Sequence, residues 1–172
     1  RSKIEQVVLA EEFAKAGVPV YRVPDTTSVK MLGNTLVHWG TEEQKLKYLP
    51  RIVSGEDTWV QGYSEPDSGS DLASIKLHAV CDGDEWVING QKIWTSCGLQ
   101  GTGIFLLART DPDAPKHRGI TFILCPLPHS GVEVRPIRTL TGDDEFCEVF
   151  FTNARVSIKN TLGPINEGWK VA

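Results

Sequence analysis

The sequence predicts an α+β fold in which a helical segment is followed by an antiparallel β-barrel or sandwich. Two observations lead to this prediction. Apolar residues recur every three or four positions up to about residue 54, and the period then changes to two from about residue 77 onward. The later part consists of short runs rich in Val, Ile, Phe and Thr, separated by Gly, Pro and Asp turns with no helical stretch between them, which is typical of antiparallel sheets.

The first predicted helix covers residues 3–16 and is amphipathic. Gly17 stands where a left-handed C-cap would end it. Two prolines within residues 18–24 then indicate an irregular connection. The predicted apolar face consists of Ile4, Val7, Val8, Phe13 and Ala14.

Two further helices follow, each with its own start signal. Hydroxyls at residues 26–28 offer caps for a second helix that ends near Gly40. Thr41 and Gln44 have the spacing of a capping box, so a third helix should run to about Ser54, with Pro50 inside it as a kink or break. The apolar residues expected to face inward are Val29, Met31, Leu32, Leu36 and Val37 in the second helix, and Leu46, Leu49, Ile52 and Val53 in the third, which Gly55 terminates.

The rest of the chain reads as strands. Asp82-Gly83 lies between two of the apolar runs and is a strong hairpin signal. Glu167 to Ala172 has the pattern of a helix start, which suggests that the chain is a fragment. The predicted strands are 77–81, 86–89, 91–96, 103–110, 120–127, 131–137 and 147–157.

Composition excludes several classes of function. The net charge of −4 and the pI near 5.6 leave no basic stripe for nucleic acid. The four cysteines form no CxxC pair and the four histidines are scattered, so we predict no metal site and no disulfide framework. No apolar run approaches the ~20 residues of a transmembrane span, and we expect a cytoplasmic protein.

The coil between the helical and the strand parts, residues 61–71, is the candidate site. It contains two glycines, three serines and one proline, and thus many hydrogen-bond donors in a short stretch. It matches neither GxGxxG nor GxxxxGK[ST] and carries three acidic residues but no Lys or Arg, which argues against a phosphate cradle. A neutral ligand edge rich in acceptors fits better, and the isoalloxazine ring of a flavin has one.

Several separated motifs resemble the acyl-CoA dehydrogenase family. They are Gly40 to Lys45, Tyr48-Leu49-Pro50, Tyr63 to Asp71 (YSEPDSGSD) and Asn89 to Ser96. Together they cover nearly the whole chain in the family's order. The resemblance implies that residues 1–60 are the end of an N-terminal helical domain, 61–160 a middle β domain, and 161–172 a linker and the start of a C-terminal helical domain.

The resemblance also implies a function. Members of this family are flavoprotein oxidoreductases of fatty acid or lipid metabolism, such as β-oxidation, that dehydrogenate an acyl-CoA thioester between Cα and Cβ with hydride transfer to FAD. It implies an electron-transfer flavoprotein as acceptor, a homo- or hetero-tetramer, and the mitochondrial matrix if the source is eukaryotic. The family's catalytic base lies in the C-terminal helical domain, so no residue of this chain is assigned as catalytic.

The family's flavin contacts carry over to two segments. The first, Gln61, Gly62, Tyr63 and Ser64, would contact the pyrimidine side of the flavin, largely through main chain. In the second, Trp94-Thr95-Ser96, the indole would pack on the flavin and the final residue would approach N5; without the family context, Trp94 would read as a core aromatic. Ser70 would border both the flavin and the thioester end of the substrate. Glu65 and Asp71 are interpreted as holding backbone N–H groups and turns rather than as catalytic.

Two alternatives stay open within the family. The chain could belong to a non-catalytic FAD-binding or structural subunit of a hetero-oligomeric acyl-CoA dehydrogenase. It could also belong to an acyl-CoA oxidase or flavin monooxygenase relative that reoxidises its flavin with O₂. A serine hydrolase is disfavoured, because the sequence has no GxSxG elbow and no base near Ser68-Gly69-Ser70.

Overall fold

A computed structural model of the chain describes residues 2–18 and 25–172. Helix α1 covers Lys3–Lys15, a π-helix covers Asp25–Gly33 and continues into α2 at Asn34–Trp39, α3 covers Glu42–Ser54, and α4 covers Gly168–Val171. The strands are β1 Trp59–Gly62, β2 His78–Asp82, β3 Glu85–Ser96, β4 Gly103–Arg109, β5 Ile120–Pro126, β6 Val132–Ile137 and β7 Phe146–Ser157. None of the described helices combines the length and the apolarity needed to cross a membrane.

Helix α1 forms as predicted but does not pack. The Ser2 hydroxyl and the Glu5 carboxylate form a capping box, and Gly17 has the left-handed φ of 70° expected just beyond the end of the helix. No residue of α1 is buried, and Ile4 is 76% exposed. The irregular connection predicted over residues 18–24 lies, from residue 19 on, outside the described residues.

The second helix starts earlier than predicted. It begins at Asp25, so Thr26, Thr27 and Ser28 lie inside the π-helix and do not cap it. The physical reason is a tertiary contact. The Ser28 hydroxyl accepts a hydrogen bond from the Trp59 N–H at 2.7 Å and donates one to the Trp59 carbonyl at 3.2 Å, which fastens the π-helix to β1.

The ends of α3 are as predicted, but half of its predicted inward face is wrong. Thr41 and Gln44 form the capping box, and Gly55 ends the helix with a φ of 78°. Pro50 does not break the helix, which continues to Ser54. Leu46 and Val53 are both 77% exposed. The buried stripe instead has a four-residue period, and it consists of Gln44, Tyr48 and Ile52.

The β part is one seven-stranded mixed sheet, in the order β1-β4-β2-β3-β7-β6 with β5 paired to β4. Most neighbours are antiparallel, as predicted. The exceptions are β1, which lies parallel to β4, and a single parallel pairing of His78 with Arg109. In the sequence, the β2–β3 hairpin lies between β1 and β4. This long connection allows β4 to run in the same direction as its neighbour β1, as parallel pairing requires.

The predicted hairpin forms, and two predicted strands merge. Asp82 pairs with Glu85, which leaves Gly83 and Asp84 as the turn, with a φ of 66° at the glycine. The strands predicted at 86–89 and 91–96 are one strand, β3, paired with β7 along its length with two irregularities of register.

The curled sheet separates two apolar clusters. One lies within the curl and includes Val60, Ile88, Ile104 and Val149. The other lies between the sheet and the helices, where Leu32, Tyr48, Trp59, Phe105 and Phe122 pack together. Strand β4 contributes alternate residues to both clusters and is buried on both faces, so it forms the rigid centre beside which the candidate site lies.

Candidate cofactor-binding site

The two segments predicted to contact a flavin lie side by side. Gln61 and Gly62 are the last residues of β1, and the coil turns from there toward β3. The Ile93 N–H donates to the Ser64 carbonyl at 2.9 Å. This backbone hydrogen bond places Tyr63-Ser64 next to Trp94, although about thirty positions separate them in the sequence.

A β-bulge turns Trp94 out of the sheet. Lys92 pairs with Val149 and Thr95 with Cys147, so three steps on β3 face two on β7. Trp94 has a φ of 62°, which non-glycine residues seldom adopt. Its side chain is 57% exposed and meets Phe146 edge-on, with 6.1 Å between the ring centroids. Trp94 is therefore not a core aromatic.

The two hydroxyl residues after Trp94 face in different directions. Thr95 is 1% exposed, and its hydroxyl has no hydrogen-bond partner among the described residues. At this exposure neither the hydroxyl nor the main chain of Thr95 forms part of the protein surface. Ser96 is half-buried, and no hydrogen bond of its hydroxyl occurs within the described part of the chain, which leaves that group available.

The residues at the end of β1 present main chain rather than side chains. A Cβ on Gly62 would lie 2.7 Å from Ile104 Cδ1, so the close approach of β1 to β4 requires glycine there. The Tyr63 ring packs edge-on against Phe105 and Phe122, with centroid distances of 5.9 and 6.3 Å. Burial raises the pKa of the Tyr63 phenol, and a hydrogen bond with the Gln61 side chain offsets part of that rise.

Glu65 has a structural role. Its carboxylate accepts the N–H groups of Lys76 at 2.6 Å and Leu77 at 3.0 Å. It also pairs with the Lys92 ammonium at 2.8 Å, and that ammonium donates to the Tyr63 carbonyl at 3.0 Å. Lys92 is 0% exposed, and burial lowers its pKa to about 8, although Glu65 partly offsets the shift.

Sequence reasoning missed Lys92, although a signal was present. Along β3 the residues at alternate positions point to the same face, and Trp86 and Ile88 face the core. Lys92 occupies one of the same alternate, inward-facing positions of β3. A lysine at an inward position of an apolar strand requires a buried acceptor, and Glu65 is the buried carboxylate of the described residues.

Ser70 and Asp71 lie at the exposed far end of the coil. Ser70 makes no hydrogen bond among the described residues. The Asp71 carboxylate accepts from the Ser74 hydroxyl at 2.6 Å and pairs with Lys116, and both interactions lower its pKa. Asp71 therefore has structural partners, but these are side chains, and its carboxylate does not hold a backbone N–H at the start of the 72–74 turn as its interpretation predicted.

Within the described residues, no group of three or more His, Cys, Asp or Glu side chains could hold a metal ion. None of the predicted flavin contacts lines a cavity of about 500 Å³ in the described part of the chain. Its lining includes Asp111, His117, Arg118, Asn166 and Lys170.

Comparison with known families gives two adjoining matches. Residues 61–154 match the family described as acyl-CoA dehydrogenase, middle domain. Residues 1–56 match acyl-CoA dehydrogenase, N-terminal domain.

Individual relatives agree with these matches. Acyl-CoA dehydrogenase IpdE1 of Mycobacterium tuberculosis is 44% identical over 171 residues, which are 99% of this chain and 44% of the relative. The solved structure of Tcur3481-Tcur3483, a steroid ACAD, has a TM-score of 0.89 at 44% identity, covering 99% of this chain and 43% of that one. The ChsE4-ChsE5 complex from Mycobacterium tuberculosis has a TM-score of 0.87 at 39% identity, with coverage of 99% and 43%. The chain thus spans less than half the length of these relatives.

Proposed function

This chain belongs to the acyl-CoA dehydrogenase family, and we propose that it is part of a flavoprotein that dehydrogenates an acyl-CoA thioester between Cα and Cβ. We also propose the division into an N-terminal helical part at residues 1–60, a β domain at 61–160, and a linker with the start of a C-terminal helical domain at 161–172. The change from helices to strands, between the end of α3 at Ser54 and the start of β1 at Trp59, supports the order of the first two parts and falls just before the proposed boundary, which lies within β1.

The free hydrogen-bonding groups of the site fit the pyrimidine edge of FAD. Among the described residues, neither the N–H nor the hydroxyl of Ser64 has an acceptor, and the Ser96 hydroxyl is likewise without a partner. Of the lysines beside this coil, Lys92 is sealed inside the protein, while Lys76 and Lys116 are paired with the coil carboxylates of Asp67 and Asp71. Neutral donors whose neighbouring cations are buried or already paired suit carbonyl oxygens and ring nitrogens better than phosphate.

When bound, FAD would supply the acceptor for the hydride that leaves the substrate's Cβ. The residues of this chain bind and orient. The Ser64 N–H and hydroxyl would hold the pyrimidine edge, and Ser96 would present its hydroxyl or N–H to the ring centre. The exposed Trp94 indole would cover ring surface and exclude water from it. Ser70 would border the thioester end of the substrate.

The hydrogen bond between Ile93 N–H and Ser64 carbonyl carries this proposal, because it brings the two predicted contact segments onto one surface. The test is a visible spectrum of the purified full-length protein with FAD, followed by anaerobic addition of CoA thioesters. We expect a yellow protein that bleaches with its substrate. A colourless protein that fails to take up added FAD would refute the proposal.

Matched tryptophan variants test the site itself. We expect Trp94→Ala to weaken FAD binding, since its indole is 57% exposed at the proposed cofactor surface. Trp39→Ala is the control, because Trp39 is a 38% exposed indole at the end of α2, away from that surface. Equal effects of the two variants on FAD affinity would contradict the assignment of Trp94.

The substrate class and the partner are finer proposals. We propose a steroid-bearing acyl-CoA as the first substrate to test, and a hetero-oligomer as the first assembly to test. The support is the similarity to the steroid ACAD Tcur3481-Tcur3483 and to the ChsE4-ChsE5 complex, each named as two components. Copurification with the product of a neighbouring related gene, followed by substrate bleaching with and without it, would test both.

The same two-component relatives favour one alternative, a subunit that binds FAD or supports assembly without catalysing. The discriminating measurement is single-turnover bleaching by the isolated subunit and by the complex. If bleaching occurs only in the complex and the flavin is bound by the partner subunit, the alternative is supported. Reoxidation by air compared with that by an electron-transfer flavoprotein separates a dehydrogenase from an oxidase relative.

A further inference from the structure

The structure contains one buried ion pair, among its described residues, that the proposed chemistry does not use. Glu65 and Lys92 are the charged residues buried there, and their side chains are 6% and 0% exposed. Burying two charges removes their hydration, and an apolar pair of similar size would often be at least as stable. The pair therefore calls for an explanation other than stability.

The hydrogen bonds of Lys92 point to a role in shaping the coil. Its ammonium donates to the Tyr63 carbonyl at 3.0 Å as well as to Glu65. The N–H of the next residue, Ile93, donates to the Ser64 carbonyl at 2.9 Å. Two successive carbonyls of the coil are thus held by two successive residues of β3.

The geometry of the peptide bond shows where these hydrogen bonds direct the Ser64 N–H. The peptide between Tyr63 and Ser64 is trans, so its carbonyl and its N–H point in opposite directions. Because the Tyr63 carbonyl is held toward a fully buried ammonium, the Ser64 N–H is directed away from the interior. Among the described residues that N–H has no acceptor, so it is free to bind a ligand.

We infer that Lys92 is a positioning residue for the cofactor: by holding the Tyr63 carbonyl inward, its ammonium aims the Ser64 N–H at a carbonyl of the flavin pyrimidine ring. Glu65 supports this arrangement by keeping the ammonium in place. The same carboxylate accepts the N–H groups of Lys76 and Leu77, which connects the ion pair to the residues just before β2. This inference rests on the proposed FAD site and adds to it a residue that does not touch the cofactor.

The test combines a protein variant with a ligand variant. Dissociation constants of FAD, 2-thio-FAD and 4-thio-FAD are measured on the full-length protein and on Lys92→Met. Sulfur is a weak acceptor, so in the wild type we expect one thio analogue to bind roughly three- to tenfold more weakly than FAD. In Lys92→Met we expect FAD itself to bind roughly tenfold more weakly and the discrimination between oxygen and sulfur to disappear.

Lys76→Met is the matched control. It removes a lysine from the same region, but this side chain is 75% exposed and, among the described residues, pairs with the equally exposed Asp67 alone. Its main-chain N–H still reaches Glu65. We expect wild-type affinity and wild-type discrimination in this variant.

The discrimination ratio separates positioning from general damage to the fold. If Lys92→Met does not fold, Lys92→Met with Glu65→Gln leaves no unpaired buried charge, and the same loss of discrimination is expected. A variant that keeps the wild-type ratio overturns the role of Lys92 while leaving the FAD site intact. A wild-type protein that binds no FAD overturns the proposed function and this inference together.

Discussion

Two networks of charged side chains fasten segments of the same sheet, one inside the protein and one on its surface. Inside, Glu65 and Lys92 approach to 2.8 Å with side chains 6% and 0% exposed. On the surface, Arg155 of β7 reaches Asp82 at 2.7 Å and Glu85 at 3.0 Å, with its side chain 50% exposed. The contact distances are nearly the same, so distance alone does not show which network contributes more to stability.

Hydration makes the difference between them. A surface pair exchanges water contacts for a protein contact and gains little. An interior pair has lost its hydration already, so the removal of one partner leaves the other charge without compensation. The buried network is therefore the one more sensitive to the loss of a partner, and it contacts the candidate cofactor site through the Tyr63 carbonyl.

The largest effect should come from removing the buried carboxylate. Glu65→Leu leaves the Lys92 ammonium unpaired and the N–H groups of Lys76 and Leu77 without their acceptor. We expect the free energy of unfolding to fall by about 3–5 kcal/mol. Urea denaturation of the wild type and the variant at pH 7 measures this.

Glu65→Gln is the control for that variant, because an amide oxygen can still accept one of these hydrogen bonds. Its loss of stability should be smaller than that of the leucine variant. A Glu65→Leu protein as stable as the wild type would show that the interior network carries no more weight than the surface one.

The pH dependence of the free energy of unfolding should reflect the lowered pKa of Lys92. Burial lowers its pKa from 10.5 to about 8, against the opposing effect of Glu65. Between these pH values the unfolded chain binds more protons than the native state, so raising the pH favours folding. The free energy of unfolding of the wild type should therefore rise relative to that of Lys92→Met between pH 8 and 10.5.

Taking the difference from Lys92→Met is essential, because other groups titrate in this range. Burial raises the pKa of Cys125 to about 12, which has the opposite sign and is present in both proteins. Burial lowers the pKa of the Arg109 guanidinium, against the opposing effects of Asp111 and Glu65, and this shift is likewise present in both proteins. A difference that stays flat from pH 8 to 10.5 would contradict a lowered pKa of Lys92 in the folded state.

Local signals in the sequence predicted local structure well. The capping box of Thr41 and Gln44 marks the start of α3, and Asp82-Gly83 marks the β2–β3 turn, because each depends on hydrogen bonds or dihedral angles within a few residues. The separated motifs of the coil and of β3 also predicted which segments form the candidate site. In the structure, the hydrogen bond between Ile93 N–H and the Ser64 carbonyl holds those segments together.

Features that depend on distant partners could not be predicted in the same way. Leu46 and Val53 fit a helical period, yet both face outward. The side chain of Gln44 donates to the carbonyls of Lys159 and Thr161, and this contact turns a different face of α3 inward. The parallel pairing of β1 with β4 depends on a crossover of about forty residues. Burial of Lys92 depends on Glu65, which lies 27 positions away.

A smaller effect should come from an uncharged buried contact, and the chain offers a matched exposed one. The Ser28 hydroxyl bridges the N–H and carbonyl of Trp59, and the Thr102 hydroxyl bridges those of the neighbouring Thr58 at 2.9 and 3.1 Å. Ser28 is 3% exposed, whereas Thr102 is exposed. Ser28→Ala should cost about 1–3 kcal/mol of stability, because it leaves a buried N–H without a partner.

Thr102→Ala should cost less than about 0.5 kcal/mol, since water replaces its hydroxyl. Urea denaturation of the two single variants in parallel provides the measurement. Equal losses would mean that burial does not separate the two bridges, and the contrast drawn for the ion pairs would fail for neutral groups.

The smallest effect should follow the loss of the surface network. Arg155→Gln removes both ion pairs, yet Asp82 and Glu85 keep their water, so we expect no resolvable change in the thermal midpoint at about 0.15 M salt. A small loss should emerge at about 0.01 M salt, where the screening length rises to roughly 30 Å. Thermal scans at both salt concentrations test this. A loss at the higher salt that matches that of Glu65→Leu would show that Arg155 supports the sheet through packing of its aliphatic stem rather than through its charge.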